Sequence, residues 1–468
     1  MADFEGLLTR FRSLSPDLLK LARNGKRIMV VTHIDADGLC SGSLVLAALM
    51  RKGANVALRT LPELDRPAIE SLASQGYDFY IFTDLASGLV PELEASLGAR
   101  FLVLDHHQAP EEDLVKLSVV NAWAFGYDGG REACSSSVAY FFASALDPAN
   151  RDLSPLAVVG SLADRQDSGP GRSLTGLNRE AVMEAQAAGL LTVSPDLMFS
   201  GRETRPIHEA IALTSTPYLK GISGSKDAAL ALLHQSGIRL KEEGAWRTIS
   251  SLSPEEKKQL TELIAGVVGG SEGATEAIAG LVGEAYTLEY EDAYTPLRDA
   301  REFGTLLNSC GRMGESGIGV SVCLGDRTDS LAQAMKTLSD YRSGLNKALT
   351  AISAEPSKLV PRGVLVLVRG EGVVDERLLG PVLSILTSSS DLRDKVVVGS
   401  SLSGDSSLKI SCRLGDSYAG SVNLGLLMRE AALAVGGVGG GHDRAAGAKV
   451  PISRSEEFFN SVVERVKS

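Results

Sequence analysis

The chain has 468 residues, 44% of them hydrophobic and 22% charged, the balance of a soluble globular protein too long for one core, so two or three domains are expected. Its net charge of −11 excludes a general electrostatic attraction to nucleic acid or anionic lipid; a polyanionic substrate must be held by a local basic groove or by bound cations. No apolar run approaches the ~18 residues that cross a bilayer, the N-terminus lacks a signal-peptide core, and Cys40, Cys134, Cys310, Cys323 and Cys412 form no C-x-x-C pair, so a reducing cytoplasm is the expected compartment.

In chain order, five short β-rich runs come first: "RIMVVTH", "NVALRTL", "DFYIFTD", "RFLVLDHH" and "LSVVNAW", with helical stretches such as "GLCSGSLVLAALMRKG" between them. Apolar strands separated by amphipathic helices predict an α/β fold with a parallel sheet covered on both faces. From about 195 to 354 the pattern is mostly helical. "SLSPEEKKQL" opens one helix with Ser253 as N-cap, Pro254 at the first helical position and Glu256 completing a capping box. "DSLAQAMKTLSDYRSGLNKALTAI" (329–352) is long enough, at ~1.5 Å per residue, to serve as a linker helix across a substrate cleft. Strands then return as "GVLVLVRG", "KVVVGSS" and "LKISCRL", and the chain closes with the glycine-rich "GGVGGGHDRAAGA". The expected division is therefore 1–194, a parallel-sheet domain; 195–354, a helical insert and linker helix; and 355–468, a smaller α/β domain.

"FLVLDHHQAP" (101–110) sets two of the chain's six histidines side by side behind a buried strand. An imidazole buried there without a partner costs on the order of 1–3 kcal/mol, so His106 and His107 must be bonded to something. The acids supply the answer. Asp35 and Asp37 follow the first strand, Asp84 the third, and His106 the fourth; in a parallel sheet those ends share one edge. A fifth acid, Asp164, ends the apolar run of "AVVGSLADRQD", with Asp167 as a weaker candidate. Carboxylates crowded together repel and raise one another's pKa unless cations hold them. Mixed carboxylate and imidazole ligands without thiolate suit Mn²⁺, with Mg²⁺, Co²⁺ or Zn²⁺ as alternatives, and the set is large enough for two ions ~3.5–4 Å apart, an arrangement that clamps an in-line phosphoryl displacement.

Each signal alone is short. "DADG" fails as a calcium loop because position twelve is Leu46 rather than Glu. A strand-end aspartate such as Asp84 is more often a helix cap than a ligand. His208 and His234 have no acid or cysteine at metal spacing, and the glycine tract follows no βαβ start.

The ordered set is specific. "HIDADG", "TDLASG", "LDHHQ", "SLADRQD" and "GGGHDRAAGA" together resemble the DHH phosphoesterase superfamily with its DHH-associated domain. "LLNSCGRMG" (306–314) resembles the Asn and Gly-Arg segment of RecJ nucleases; "GSLADRQD" and "TSTPYLKGISGS" are most similar to the archaeal RecJ-like proteins, including the GINS-associated nuclease. The resemblance implies two Mn²⁺ ions held by Asp35, Asp37, Asp84, His106 and Asp164, with His33 at a first-motif position. It also implies that His107 faces the scissile phosphate, that Asp105 orients the histidine pair, and that the active site lies in the cleft between the two α/β domains. Gly440 and Gly441 would let backbone N–H groups approach a phosphate as an anion-binding nest does, His442 would add a donor, and Asn308 and Arg312 would contact a polymeric substrate.

The expected function is a metal-dependent exonuclease acting on single-stranded DNA or RNA in replication or repair, with GINS as an expected partner of the helical section. A small-nucleotide phosphodiesterase or oligoribonuclease, and a replisome scaffold with a weak or decayed nuclease site, are the alternatives.

Overall fold

Each of the five runs between residues 27 and 121 becomes a strand in the computed structural model, which describes residues 2–214, 219, 221–269, 274–389, 391–404, 406–415, 417–441 and 443–467. β1 (Arg27–His33), β2 (Asn55–Leu61), β3 (Phe79–Thr83), β4 (Phe101–Asp105) and β5 (Val119–Asn121) pair in parallel in the order β2-β1-β3-β4-β5. The helices Arg66–Ser74 and Val90–Leu97 press Ile69, Leu72, Val90 and Leu93 against Tyr80, Phe82 and Val103. Ala36–Arg51 packs along β1, and Ser135–Leu146 along β4. All of β4 is buried, which is why it reads as an unbroken apolar run rather than an alternating one.

This strand order has one reversal, between β1 and β3, where the chain winds outward in opposite directions. At such a point the loops leaving the carboxyl ends of the strands part and open a crevice, the place where open α/β sheets bind ligands. The loops in question carry His33, Asp35 and Asp37 on one side and Asp84 on the other.

The chain divides into two compact units, Met1–Leu213 with Ser225–Leu338, and Thr214–Gly224 with Ser339–Ser468. The second is built on a six-stranded mixed sheet in the order Leu359–Arg362, Leu365–Arg369, Val396–Ser403, Ser407–Leu414, Ala445–Pro451, Val438–Gly441. Among the described residues its one parallel pairing is Leu365–Arg369 with Val396–Ser403. Among the described residues no helix is long and apolar enough to cross a membrane, and all five cysteines are free and buried.

The section from 195 to 354 is mostly helical and also carries short strands: Leu191–Leu197 and Val282–Leu288 form an antiparallel ribbon, and Lys241–Glu242 pairs with Ala245–Trp246. Pro195 lies within the first of these strands, and each strand of a two-stranded ribbon has an outer edge on which proline is tolerated. The glycine tract is extended. Val438–Gly441 is an edge strand antiparallel to Ala445–Pro451, and Gly439 is needed there because a Cβ would run into the backbone of Met428 on the adjacent helix. The Ser253 capping box forms as read, with Ser253 Oγ accepting from Glu256 N at 3.2 Å and Glu256 Oε2 from Ser253 N at 2.9 Å. The 329–352 helix runs Asp329–Ala354.

The helix Ala300–Arg312, far along the chain, packs on Ala36–Arg51 and on Ser154–Ala163. Its closest approach is at Gly311, where a Cβ would sink into the Ile34 carbonyl oxygen. One turn earlier Asn308 Oδ1 accepts from Ala36 N at 3.0 Å. The "NSCGR" helix thus fixes the loop that presents Asp35. Replacing Gly311 by Ala is expected to destabilise the protein by about 1–3 kcal/mol through overpacking; an unchanged urea-unfolding midpoint would show that the loop gives way freely.

Candidate active site

The crevice at the carboxyl edge of the sheet gathers eight of the sequence-predicted residues: His33, Asp35, Asp37, Asp84, Asp105, His106, His107 and Asp164. Their ligand atoms fall into three sets, each within 4.8 Å: His33, Asp35 and Asp84; Asp37, His106 and Asp164; and Asp84, Asp105, His106 and His107. Asp84 joins them. Its Oδ2 lies 3.6 Å from His33 Nδ1, which is also 2.8 Å from Asp35 Oδ2, and its Oδ1 lies 3.4 Å from His106 Nε2. His106 Nε2 is 3.8 Å from Asp37 Oδ2, and His106 Nδ1 3.9 Å from Asp164 Oδ2.

Local chain geometry explains how each group is held. Asp35 caps Ala36–Arg51, accepting from Gly38 N at 3.0 Å. Asp84 has φ +59°, and Ala86 φ +91° follows it. A non-glycine residue in that region is strained, and here the strain turns the chain sharply after β3 so that Asp84 faces the crevice. Asp37 sits on the N-terminus of Ser135–Leu146, where Ser135 N donates to Oδ2 at 2.9 Å, Ser136 N to Oδ1 at 2.8 Å, and the Ser136 hydroxyl also donates to Oδ1. Exposed N–H groups and the helix dipole make that end favourable for a buried carboxylate. Ser135 Oγ bonds Asp84 Oδ1 at 3.1 Å.

The two histidines are oriented differently. His106 Nδ1 lies 2.5 Å from the Gly129 carbonyl, which leaves Nε2 directed at Asp84 and Asp37, the arrangement of a metal-ligating imidazole whose second nitrogen is fixed by a carbonyl. His107 Nδ1 pairs with Asp105 Oδ1 at 2.8 Å. Asp105 also accepts from His106 N at 2.8 Å and Ser87 N at 3.2 Å, so a single buried carboxylate sets the His107 ring and anchors the backbone of His106.

Sequence reasoning missed this supporting shell. Gln166 Nε2, with two hydrogens to donate, lies 2.7 Å from Asp164 Oδ2, 2.9 Å from Gly129 O and 3.1 Å from Ala133 O, while its Oε1 accepts from Asn178 Nδ2 at 2.6 Å. Asn121 Nδ2 reaches Ser87 Oγ at 2.8 Å and His107 O at 2.9 Å. The "CSSS" run ahead of an apolar helix was a readable sign of an anion-holding helix start; nothing local marks Gln166 or Asn178. Asp167 is not drawn into the site, because Arg172 and Arg301 hold its Oδ2 at 3.0 and 2.9 Å. Arg312 ends its helix partly exposed, with no described acid or carbonyl partner. Gly440 and Gly441 lie in the second unit's edge strand, and His442 lies outside the described residues, as do residues 215–218 and 220 of the "TSTPYLKGISGS" segment.

The electrostatics are those of a site with too much negative charge. Burial, then the charges of Asp84 and Asp164, push Asp37 up to about 8 against the pull of His106. Burial with Asp84 and Asp35 nearby raises Asp164 to about 6. Burial disfavours His107 as a cation, but the Asp105 charge and hydrogen bond outweigh it and lift the ring to about 9. Burial would raise Asp35 and Asp105 too, yet His33 and His107 hold them below the ordinary carboxylate range. Protons and imidazolium charges here stand where cations fit. The donor set, carboxylate oxygen and imidazole nitrogen without thiolate, matches Mn²⁺ or Mg²⁺.

A DHH-type acid and histidine site on a parallel α/β sheet is the class this fold and geometry define. The model of the DHH family N-terminal domain matches residues 27–160, that of the DHH-CID domain 199–282, and that of the DHHA1 domain 364–468. The chain belongs to the DHH family, with the DHH, DHH-CID and DHHA1 domains in that order. An uncharacterized protein of Methanocaldococcus jannaschii is 29% identical over 444 residues, 93% of this chain and 92% of its own. Among solved structures, CDC45 from Entamoeba histolytica has a TM-score of 0.68 at 12% identity, covering 98% of this chain and 99% of its own. RecJ from Thermus thermophilus, solved with Mn²⁺, has a TM-score of 0.60 at 18% identity and covers 97% of this chain. This chain spans 54% of that RecJ. At these identities the two structures establish the fold alone.

The pKa shifts set a pH prediction. In the cation-free protein the folded state keeps a proton on Asp37 from the unfolded value near 4 up to about 8, and on His107 from near 6.5 up to about 9. Where the folded state binds more protons, stability falls as pH rises; the lowered Asp35 and Asp105 act in the opposite sense only below about pH 4. The melting temperature in EDTA should therefore fall between pH 6.5 and 8. Bound cations displace those protons, so the increment that Mn²⁺ adds should be larger at pH 8. Equal increments at both pH values would contradict this reading.

Proposed function

We propose that the chain is a metal-dependent exonuclease that hydrolyses phosphodiester bonds of single-stranded nucleic acid. The observation that carries the proposal is Asp84, whose two oxygens face separate acid and histidine groups. His33, Asp35 and Asp84 would hold one divalent cation, and Asp37, His106, Asp164 and Asp84 the second. Two such cations, Mn²⁺ above all, lower the pKa of water and neutralise charge on a phosphoryl group undergoing in-line displacement. His107, its ring set by Asp105, presents a fixed positive donor to the phosphoryl oxygens. Asn308 binds the first-motif loop through its carbonyl, which makes it a positioning residue as much as a substrate contact. Arg312, one turn beyond it, offers a planar fork to a neighbouring phosphate. Gly440, Gly441 and His442 are proposed to contact the strand from the second unit.

A polymeric substrate fits better than a small nucleotide because the "NSCGR" helix brings Arg312 next to the loop that presents Asp35, where a second phosphate of the same strand would pass. A scaffold without catalysis has no use for eight ligand-type side chains held by so many buried hydrogen bonds. The helical section 195–354 is proposed to carry a partner surface, GINS being the partner that the family resemblance suggests.

Digestion of single-stranded DNA and RNA labelled at either end, with Mn²⁺, tests the proposal and gives the polarity. Replacing Asp84 by Ala should lower the rate more than about 100-fold with the circular dichroism spectrum unchanged; a folded variant that keeps more than a few per cent of the rate would remove the two-cation reading. Arg312→Ala should weaken binding of long single strands more than cleavage of a dinucleotide. Equal losses on both would place Arg312 within the catalytic centre or the structural frame.

A further inference from the structure

Asp164 and the residue after it end the helix Ser154–Ala163 in a Schellman turn. Asp164 N bonds Gly160 O at 2.9 Å, Arg165 N bonds Leu162 O at 3.1 Å, and Gln166 N bonds Ser161 O at 3.1 Å. The turn puts Arg165 at φ +61°, in the left-handed position that glycine fills with least strain. A long cationic side chain there gains nothing from its backbone. Nor does pairing offset the strain, for among the described residues no acid or carbonyl bonds the Arg165 guanidinium, and the residue is exposed. Its neighbours on either side, Asp164 and Gln166, are joined to each other and, through Gln166, to Gly129, which fixes His106. Arg165 is therefore a free cation mounted on the rigid rim of the crevice.

It does not stand alone. Arg172, also at positive φ, and Arg301 share the single carboxylate of Asp167, and Arg301 lies over the Tyr286 ring with its guanidinium 5.3 Å from the centroid. Arg172 is held below its ordinary value by burial; Asp167 opposes this, while the charges of Arg301 and Arg165 add to it, which places the three guanidinium groups within electrostatic reach of one another. Arg165, Arg172 and Arg301, the last two sharing Asp167, make a cationic spot beside an acidic centre, in a chain of net charge −11; Glu284 nearby is paired with Arg179.

We propose that Arg165 is a positioning residue that grips a backbone phosphate of the single strand next to the one being cut, with Arg172 and Arg301 supplying the positive field behind it. The ligand chemistry is a phosphodiester, read without regard to base, since a guanidinium fork matches phosphate oxygens in pairs. The inference rests on the nuclease reading for its substrate. Its logic is mechanical: because Arg165 follows Asp164 directly, a phosphate held there is registered against the cation group that Asp164 belongs to.

The test is the salt dependence of binding. Fluorescence anisotropy with a labelled 12-nucleotide single strand, in Ca²⁺ to suppress turnover, is measured for wild type, Arg165→Gly and Arg165→Lys across a range of salt. Glycine relieves the left-handed strain, so its melting temperature should equal or exceed that of wild type, which separates loss of the cation from loss of fold. Arg165→Gly should raise Kd about tenfold at low salt and reduce the slope of log K against log salt by about 0.7, one single-strand phosphate contact. Arg165→Lys should restore most of the slope. A stable Arg165→Gly protein with wild-type affinity and slope would overturn the proposal. Should wild type bind the strand but cut nothing with Mn²⁺, the nuclease reading falls while the slope still judges Arg165; should it bind no strand at all, both fall.

Discussion

Mutual repulsion among buried carboxylates is the constraint around which this protein is organised. Asp35, Asp37, Asp84, Asp105 and Asp164 converge at one sheet edge, and for Asp37 and Asp164 burial is the largest contribution raising the carboxyl above its ordinary value. Such a cluster is stable only with compensation from imidazolium, from N–H dipoles or from bound cations. The chain itself supplies the first two kinds of partner. His33 stands against Asp35, His107 against Asp105, and the N-terminus of Ser135–Leu146 against Asp37.

That compensation accounts for much of the surrounding polar core. Gln166, Asn178, Asn121, Ser87 and Ser135 are fully buried or nearly so, and each directs its hydrogen bonds to a ligand-type residue, to the backbone that carries one, or to another member of the same network. A buried polar network is stabilising only when every member is satisfied, and in that state it also locks rotamers. The same contacts that make the charges tolerable therefore fix the direction of His106 Nε2 and of the His107 ring. Rigidity is a by-product of charge compensation here.

Much of this was legible in the sequence because parallel strands bury both faces and so print as continuous apolar runs, each ending where a ligand residue begins. "VVTHIDAD", "FTD" and "LDHH" mark the carboxyl ends of β1, β3 and β4 without ambiguity. Asp164 was legible as the polar stop of an apolar helix. The ribbon that pairs Leu191–Leu197 with Val282–Leu288 was not, since its two halves lie far apart in the chain and the first contains proline and aspartate. The glycine strand Val438–Gly441 was hidden for the opposite reason: glycine is a poor strand former, and only close packing on a neighbouring helix favours it there.

The sequence by itself determined the sheet, the acid and histidine content of its carboxyl edge and the motif order, because apolar runs and strand-end positions are local properties of the chain. Tertiary structure alone decided which acids cluster with which histidines, which histidine nitrogen points inward, and that Asp167 belongs to two arginines rather than to the cluster. It also decided that Asn308, 272 positions from Ala36, completes the first-motif loop. Most of those outcomes depend on distances of a few ångströms between residues that the chain separates by tens to hundreds of positions. No local pattern encodes them, since hydrogen bonds and Coulomb terms act through space while periodicity acts along the backbone.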